Sequence, residues 1–155
     1  MTLGGNSTIE TTGGNITFGG TLEGVGVADN RTLDIKAGAG DVTFTGVVGG
    51  ADPENQAIGD TTITAANVTT SADFAAMSLT VNATGTTLLG GDTSALNDIR
   101  INSATITANG NVDSDQGDIA LAATGVLTHA DGTEVNTLSG RSEERRVGKG
   151  CRSRW

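Results

Sequence analysis

The stretch IRINSATITANGNVDSDQGDIALAA, residues 99–123, contains two similar segments twenty positions apart, IRINS and IALAA. In each segment the residues at steps 0, 2 and 4 are apolar or small. This alternation is typical of a β-strand with one buried face. The residues between the segments are rich in Gly, Asn and Asp, which favour tight turns.

The same pattern recurs along the chain. The further segments are LDIKA (33–37), TTITA (61–65), LTVNA (79–83) and LSG (138–140). From residue 33 onward, the first residues of the six segments are separated by 28, 18, 20, 20 and 19 positions. A second position recurs seven steps into the repeat, as Val68, Thr86, Ile106 and Val126, and predicts another strand on another side of each coil.

A period near twenty fits one turn of a parallel β-solenoid, and an evenly spaced β-sandwich is the alternative. We therefore predict an all-β solenoid domain over residues 1–140, with five to six coils stacked about 4.8 Å apart. The alternation predicts that nine side chains point inward. They are Leu33, Ile35, Ile63, Leu79, Val81, Ile99, Ile101, Ile119 and Leu121.

One long interval interrupts the period. It contains ADPENQAIGD, residues 51–60, with the only proline of the chain at Pro53. Proline cannot donate a hydrogen bond to a sheet, so the sequence predicts a surface loop over residues 51–60. The segment ADFAAM, residues 72–77, also allows a short helical turn.

Two further segments, NITFGGTLEG (15–24) and DVTFTGVVGG (41–50), match in residue type at Ile16/Val42, Phe18/Phe44 and Leu22/Val48. With LDIKAGAGDVTFTGVVGG and SLTVNATGTTLLGG, they resemble the repeats of large bacterial exoproteins of the filamentous haemagglutinin type, over residues 9–140. The resemblance implies a right-handed β-helical rod, exported by an outer-membrane partner and used at the cell surface for adhesion or biofilm. It carries over no catalytic or binding residue.

Charge separates the body of the chain from its end. Residues 1–140 carry a net charge of −13, whereas residues 141–155 carry +4 and contain the only cysteine and the only tryptophan, Cys151 and Trp155. An acidic body argues against binding to nucleic acid or an anionic membrane, and no apolar run is long enough for membrane insertion.

The last fifteen residues, RSEERRVGKGCRSRW, are similar to the translation of a common sequencing adapter, and depart from it at Gly150. We therefore expect residues 141–155 to be an artefactual, disordered tail that neither continues the coil begun at Leu138 nor packs on the core. Its deletion should then leave stability unchanged within about 0.5 kcal/mol.

The densest group of carboxylates is Asp113, Asp115 and Asp118 in NVDSDQGD. Spaced carboxylates are a weak candidate for calcium binding, and they also allow acid–base chemistry on glycosides. A solvated corner is the favoured interpretation, because Gly117 is misplaced for a helix-loop-helix calcium loop. The only histidine, His129, has no nucleophile motif to serve, so it is expected to be a corner residue.

Ice binding is a further class, since some β-solenoids display stacked Thr-x-Thr pairs. Counted from the strand starts, the first threonines of the pairs at Thr43, Thr62, Thr84 and Thr105 fall at steps 10, 1, 5 and 6. The sequence therefore predicts no single threonine column.

These observations favour a non-catalytic structural repeat of a secreted or surface-exposed bacterial adhesin or exoprotein, located outside the cell and requiring no cofactor. Its expected partners are a host or matrix surface, or other copies joined through the coil ends. The alternative is a fragment of a β-helical carbohydrate-active enzyme, a polysaccharide lyase or hydrolase.

Overall fold

The computed structural model describes residues 1–24, 31–50, 58–138 and 141–146, and within these ranges the chain forms fourteen β-strands and no helix. The strands are β1 Ser7–Glu10, β2 Ile16–Phe18, β3 Leu33–Lys36, β4 Val42–Phe44, β5 Ile58–Ala65, β6 Val68–Thr70, β7 Phe74–Ala83, β8 Thr86–Leu89, β9 Thr93–Ala95, β10 Ile99–Ala108, β11 Val112–Ser114, β12 Ile119–His129, β13 Val135–Thr137 and β14 Ser142–Arg146. Every strand pairing between them is parallel, so the predicted parallel β-solenoid is confirmed.

The first face of the solenoid is a stack of β1, β3, β5, the C-terminal part of β7, the N-terminal part of β10, the N-terminal part of β12, and β14. Leu33 pairs with Thr61, Thr61 with Leu79, Leu79 with Ile99, and Ile99 with Ile119. The alignment predicted from the repeat is therefore the observed register. All nine side chains predicted to point inward are buried, with at most 2% of their surface exposed.

The second face is formed by β2, β4, β6, β8 and the C-terminal parts of β10 and β12. Its interior column contains Val42, Val68, Thr87, Ile106 and Leu127. The predicted second position is therefore right at Val68 and Ile106, but wrong at Thr86 and Val126, which are exposed neighbours of the buried residues. The spacing from the first-face residue to the buried second-face residue alternates between 7 and 8 in the four coils that begin at Thr61, Leu79, Ile99 and Ile119. A shift of one residue reverses the side to which a strand residue points.

The third face consists of the N-terminal part of β7, β9, β11 and β13. Single bridges from Leu22 to Val48 and from Val48 to Phe74 extend this face toward the N-terminal coils. The possible helical turn over residues 72–77 is wrong, because Phe74–Ala83 is one extended strand. Each complete coil thus contributes a strand segment to three faces that enclose one core.

The spacing of equivalent positions defines the turns. From Thr61 to Ser142, four turns have spacings of 18, 20, 20 and 23 residues. Two longer turns of 26 and 28 residues precede them, from Ser7 to Leu33 and from Leu33 to Thr61. The period near twenty therefore holds for four turns, slightly fewer than the five to six predicted.

The core of the N-terminal coils is centred on the three phenylalanines. The rings of Phe18 and Phe44 stack with centroids 4.7 Å apart, and Phe74 meets Phe44 edge-on at 5.4 Å. Both arrangements are favourable for aromatic rings. The predicted pairing of NITFGGTLEG with DVTFTGVVGG is confirmed, since Ile16, Phe18 and Leu22 align with Val42, Phe44 and Val48.

The predicted insertion loop at residues 51–60 is too long at its C-terminal end. Ile58 and Asp60 belong to β5 and pair with Ala76 and Ser78, and Ile58 is fully buried. The strand begins at Ile58 because this apolar side chain is buried in the core and its backbone pairs with Ala76 of the neighbouring coil. Residues 51–57 lie outside the described residues.

The prediction that the last fifteen residues leave the ladder is wrong for Ser142–Arg146. This segment forms β14, which pairs in parallel with β12 over five residues, Ile119 with Ser142 through Ala123 with Arg146. Backbone hydrogen bonding needs no apolar alternation, so a charged segment can extend an open sheet edge. The first-face position of the last turn, equivalent to Ile119, is therefore Ser142. Leu138, which was predicted to begin this turn, is 82% exposed. Val147, Cys151 and Trp155 lie outside the described residues, and the adapter origin stays a hypothesis.

Candidate functional site

At several corners that the structure describes, acidic and amide side chains form hydrogen bonds between coils. At the start of the second face, the Oδ1 atom of Asn15 accepts the backbone N–H of Asp41 at 2.9 Å. In the next coil the Nδ2 atom of Asn67 donates to Asp41 at 2.8 Å, and Oδ1 of Asn67 accepts the N–H of Thr86 at 2.8 Å. We call these contacts the second-face ladder.

An equivalent ladder runs along the start of the third face. Asp73 accepts the N–H of Asp92 at 3.0 Å, Asp92 accepts the N–H of Asn111 at 2.8 Å, and Asn111 accepts the N–H of Glu134 at 3.0 Å. Each residue immediately precedes a strand of its coil. A short oxygen-bearing side chain at this position satisfies a backbone donor at the corner, where the chain turns away from the sheet.

A third ladder begins the first face and contains one of the calcium candidates. Asp98 accepts the N–H of Asp118 at 2.8 Å, and Asp118 accepts the N–H of Arg141 at 2.8 Å. The N–H of Asp118, followed by the Arg100 guanidinium 2.5 Å away, holds the pKa of Asp98 below its ordinary value. Asp118 therefore has a structural role that the sequence analysis did not assign to it.

The other two candidate carboxylates lie on the third face. Asp113 sits in β11 between Ser94 and Asn136, and Asp115 follows at an exposed turn. Burial raises the pKa of Asp113, and the carboxylates of Asp92, Asp115 and Glu134 raise it further, against a hydrogen bond from Asn136. This acidic corner tolerates a proton more readily than an ordinary surface aspartate does.

Asp113, Asp115 and Asp118 form no three-residue metal cluster, since none of the described residues group in that way. Calcium binding by Asp113, Asp115 and Asp118 stays a prediction. His129 ends β12 opposite Ala108, consistent with the corner position expected for it.

One shallow depression of about 230 Å³ lies on the first face near the C-terminal coils. It is lined by Arg100, Asp118, Ile119, Ala120, Arg141 and Glu143. Arg100 is paired with Asp98 at 2.5 Å, and Arg141 lies 3.9 Å from Glu143. The depression combines two carboxylates with two basic side chains, the residue types that a glycoside-cleaving groove needs, but its lining has no aromatic side chain for a sugar ring.

The four Thr-x-Thr pairs form no single column, as predicted, because Thr62 lies on the first face between Asp34 and Thr80, whereas Thr43 lies on the second face. The second face nevertheless has a column of single threonines that the pairs did not reveal. Thr17, Thr43 and Thr69 align on successive strands of the second face, and Thr107 and Thr128 continue the alignment beyond Leu88. Steps counted from the first-face strands miss this column because the corner between the faces has no constant length. Counting from the buried residues of the second face itself would have found it.

The comparisons leave the family undetermined, because the sequence matches no protein-family model, no curated protein and no solved structure. Across the described ranges, no helix is present that is long and apolar enough to cross a membrane.

Proposed function

We propose that this chain is a non-catalytic structural repeat segment of a secreted or surface-exposed bacterial adhesin or exoprotein. The observation that carries the proposal is the use of the corner carboxylates and amides. In three ladders, side chains such as Asp92, Asn111 and Asp118 bond one coil to the next. These hydrogen bonds stabilise the stacking of one coil on the next. Because each repeat contacts mainly its neighbours, such stacking suits a long rod built of many coils.

Two further observations are in keeping with the resemblance to exported repeat proteins, although the lack of cysteine by itself does not fix the compartment. The body carries a charge of −13 and contains no cysteine, so it needs no particular redox environment and repels anionic polymers. The alignment of Ile16, Phe18 and Leu22 with Val42, Phe44 and Val48 strengthens the internal repeat on which the resemblance to filamentous haemagglutinin repeats rests. The expected partners are a host or matrix surface, or other copies joined at the coil ends.

Location and repeat length test this proposal together. Antibodies raised against the purified chain should label intact cells of the producing bacterium, and a protease added outside those cells should remove the signal. The complete gene should contain many more segments with the same period. Labelling only after lysis, in cells that make the protein, would contradict an exported rod.

A fragment of a β-helical carbohydrate-active enzyme is the second candidate, and the depression between Asp118 and Glu143 is what favours it. The test is a screen of the purified chain against pectic and other acidic polysaccharides for released reducing or unsaturated ends. Turnover that disappears in Asp118→Asn or Glu143→Gln would establish the enzyme and overturn the structural proposal. Unchanged polymer with all substrates supports the structural proposal.

A further inference from the structure

The outer surface of the second face carries a column with a threonine in five of its six strands. Thr17, Thr43, Thr69, Thr107 and Thr128 occupy one column in unbroken parallel register, with Leu88 in the remaining position. Neighbouring strands in a sheet lie about 4.8 Å apart, so the column repeats at that spacing over six strands. All six side chains are exposed or half-buried.

The hydroxyl groups of this column are available to water. None of the side-chain hydrogen bonds described in the structure involves Thr17, Thr43, Thr69, Thr107 or Thr128. Each threonine also presents a methyl group beside its hydroxyl, and β-branching restricts the side chain to few rotamers on a strand. The face therefore offers a repeated pair of one polar and one apolar group, held by a rigid backbone.

A second, independent property of this face is its lack of charge. The strand residues of the second face, in β2, β4, β6, β8 and the C-terminal parts of β10 and β12, contain no Asp, Glu, Lys or Arg. The first face, built on the same coils, presents Asp34, Lys36 and Arg100. The chain has a net charge of −9, yet none of the charged residues that the structure describes lies in the strands that carry the threonine column.

The chemistry of the column limits what it can bind. An uncharged face offers nothing to ions, nucleic acid or acidic polymers, and it has no outward aromatic ring on which a sugar could stack. A second copy would need an apolar interface core, yet only Leu88 and Val126 are outward-facing large apolar residues there. What remains is a neutral, periodic surface that is itself a hydrogen-bonding lattice.

We propose that the threonine column of the second face binds ice through a layer of water ordered along the column. Water-mediated contacts are nearly as favourable as direct hydrogen bonds, and their entropic cost falls when the protein groups are already held in place. Each threonine contributes little alone, but five positions on one rigid scaffold act together in the manner of linked binding sites. The proposal is independent of whether the parent protein is an adhesin.

The test uses the whole chain and measures its uptake into a slowly growing ice crystal. Thr69→Lys with Thr107→Lys places two charges in the column, and Thr62→Lys with Asn102→Lys places the same charges on exposed positions of the first face. We expect the wild-type chain to enter and shape the ice, the first variant to lose both properties, and the second to keep them. Thr69→Val with Thr107→Val preserves side-chain shape and reports on the hydroxyls alone, while far-UV circular dichroism verifies folding.

Each other outcome overturns the proposal. One such outcome is that the wild-type chain is excluded from the growing ice like an ordinary soluble protein. Another is that the two charged variants lose uptake into ice equally. If the substitutions at Thr69 and Thr107 abolish only a concentration-dependent association, measured by sedimentation without any effect on ice, the face is a contact between copies instead.

Discussion

At the scale of single residues, the least satisfied group in the core is the hydroxyl of Thr93. Thr93 is fully buried on the third face between Phe74 and Val112, and its Oγ1 atom has no hydrogen-bond partner. By contrast, the buried hydroxyls of Thr87 and Ser103 bond to each other at 2.6 Å. A buried polar group without a partner costs roughly 1–3 kcal/mol.

Thr93→Val should therefore stabilise the protein, by about 1 kcal/mol, because valine has nearly the same shape and no hydroxyl to desolvate. Urea unfolding at neutral pH measures the change. Thr128→Val, which removes an exposed hydroxyl of the second face, is the matched control and should have little effect. A destabilised Thr93→Val protein would contradict the claim that this hydroxyl is buried without a hydrogen-bond partner.

Two aspartates should respond to pH in opposite directions. The pKa of Asp98 lies below its ordinary value of 3.8, so its contribution to stability is fully present above that value and is lost as the pH falls through the lowered pKa. The pKa of Asp113 lies above 3.8, so its ionisation opposes folding once the pH exceeds the raised pKa.

Asp113→Asn should accordingly stabilise the protein at pH 7 and lose that advantage toward pH 3, whereas Asp98→Asn should destabilise it at pH 7 and become neutral in acid. Thermal unfolding of the two variants and the parent over this range provides the comparison. If both substitutions shift the midpoint in the same direction at pH 7, the electrostatic difference between the two corners is not real.

At the scale of elements, some corners between strands leave no room for a side chain against the preceding coil. A Cβ atom on Gly46 would lie 2.5 Å from the carbonyl carbon of Gly20 and 2.7 Å from the nitrogen of Thr21. A Cβ atom on Gly20 itself would meet nothing within 4 Å. Glycine is therefore required at position 46, whereas position 20 in the preceding coil has room for a side chain.

Gly46→Ala should cost about 1–3 kcal/mol, the range for overpacking a site whose neighbours are backbone atoms that cannot rotate away. Gly20→Ala should be neutral within about 0.5 kcal/mol. Chemical denaturation of both variants tests the pair. Equal effects at the two positions would argue against the close approach of these coils.

How much of each element could be predicted from the sequence depends on what defines its register. The first-face strands follow from alternation alone, so Leu33, Leu79 and Ile119 were placed correctly. The second-face strands do not, because the corner before them varies in length and moved the buried position from Thr86 to Thr87. The ladders were missed because only Asp113, Asp115 and Asp118 were considered, and only for metal or acid–base chemistry. The informative signal was an aspartate or asparagine placed directly before a strand.

At the scale of the whole molecule, the stack is extended at its C-terminal side by a strand that the composition did not suggest. β14 covers the edge of β12 through five paired residues. Removing residues 141–155 should therefore destabilise the protein, because the backbone edge of β12 and the coil interior beneath it become accessible to water. Removing only residues 147–155 leaves β14 in place and is the control.

Thermal unfolding of the two truncated chains measures the contribution of β14 as the difference between them. The account predicts a lower midpoint for the shorter chain. Identical midpoints would restore the expectation that everything after residue 140 is dispensable.

The central claim is that equivalent positions in successive coils are stacked along one axis, and pulsed electron paramagnetic resonance measures this directly. Spin labels are placed through Thr17→Cys with Thr107→Cys, and through Thr17→Cys with Thr128→Cys, both in a Cys151→Ser background. These positions lie in one column, separated by four and five strand spacings. The account predicts that the second distance exceeds the first by one coil, about 5 Å, within a range near 20–25 Å. A second distance equal to the first, or shorter than it, would contradict a β-solenoid.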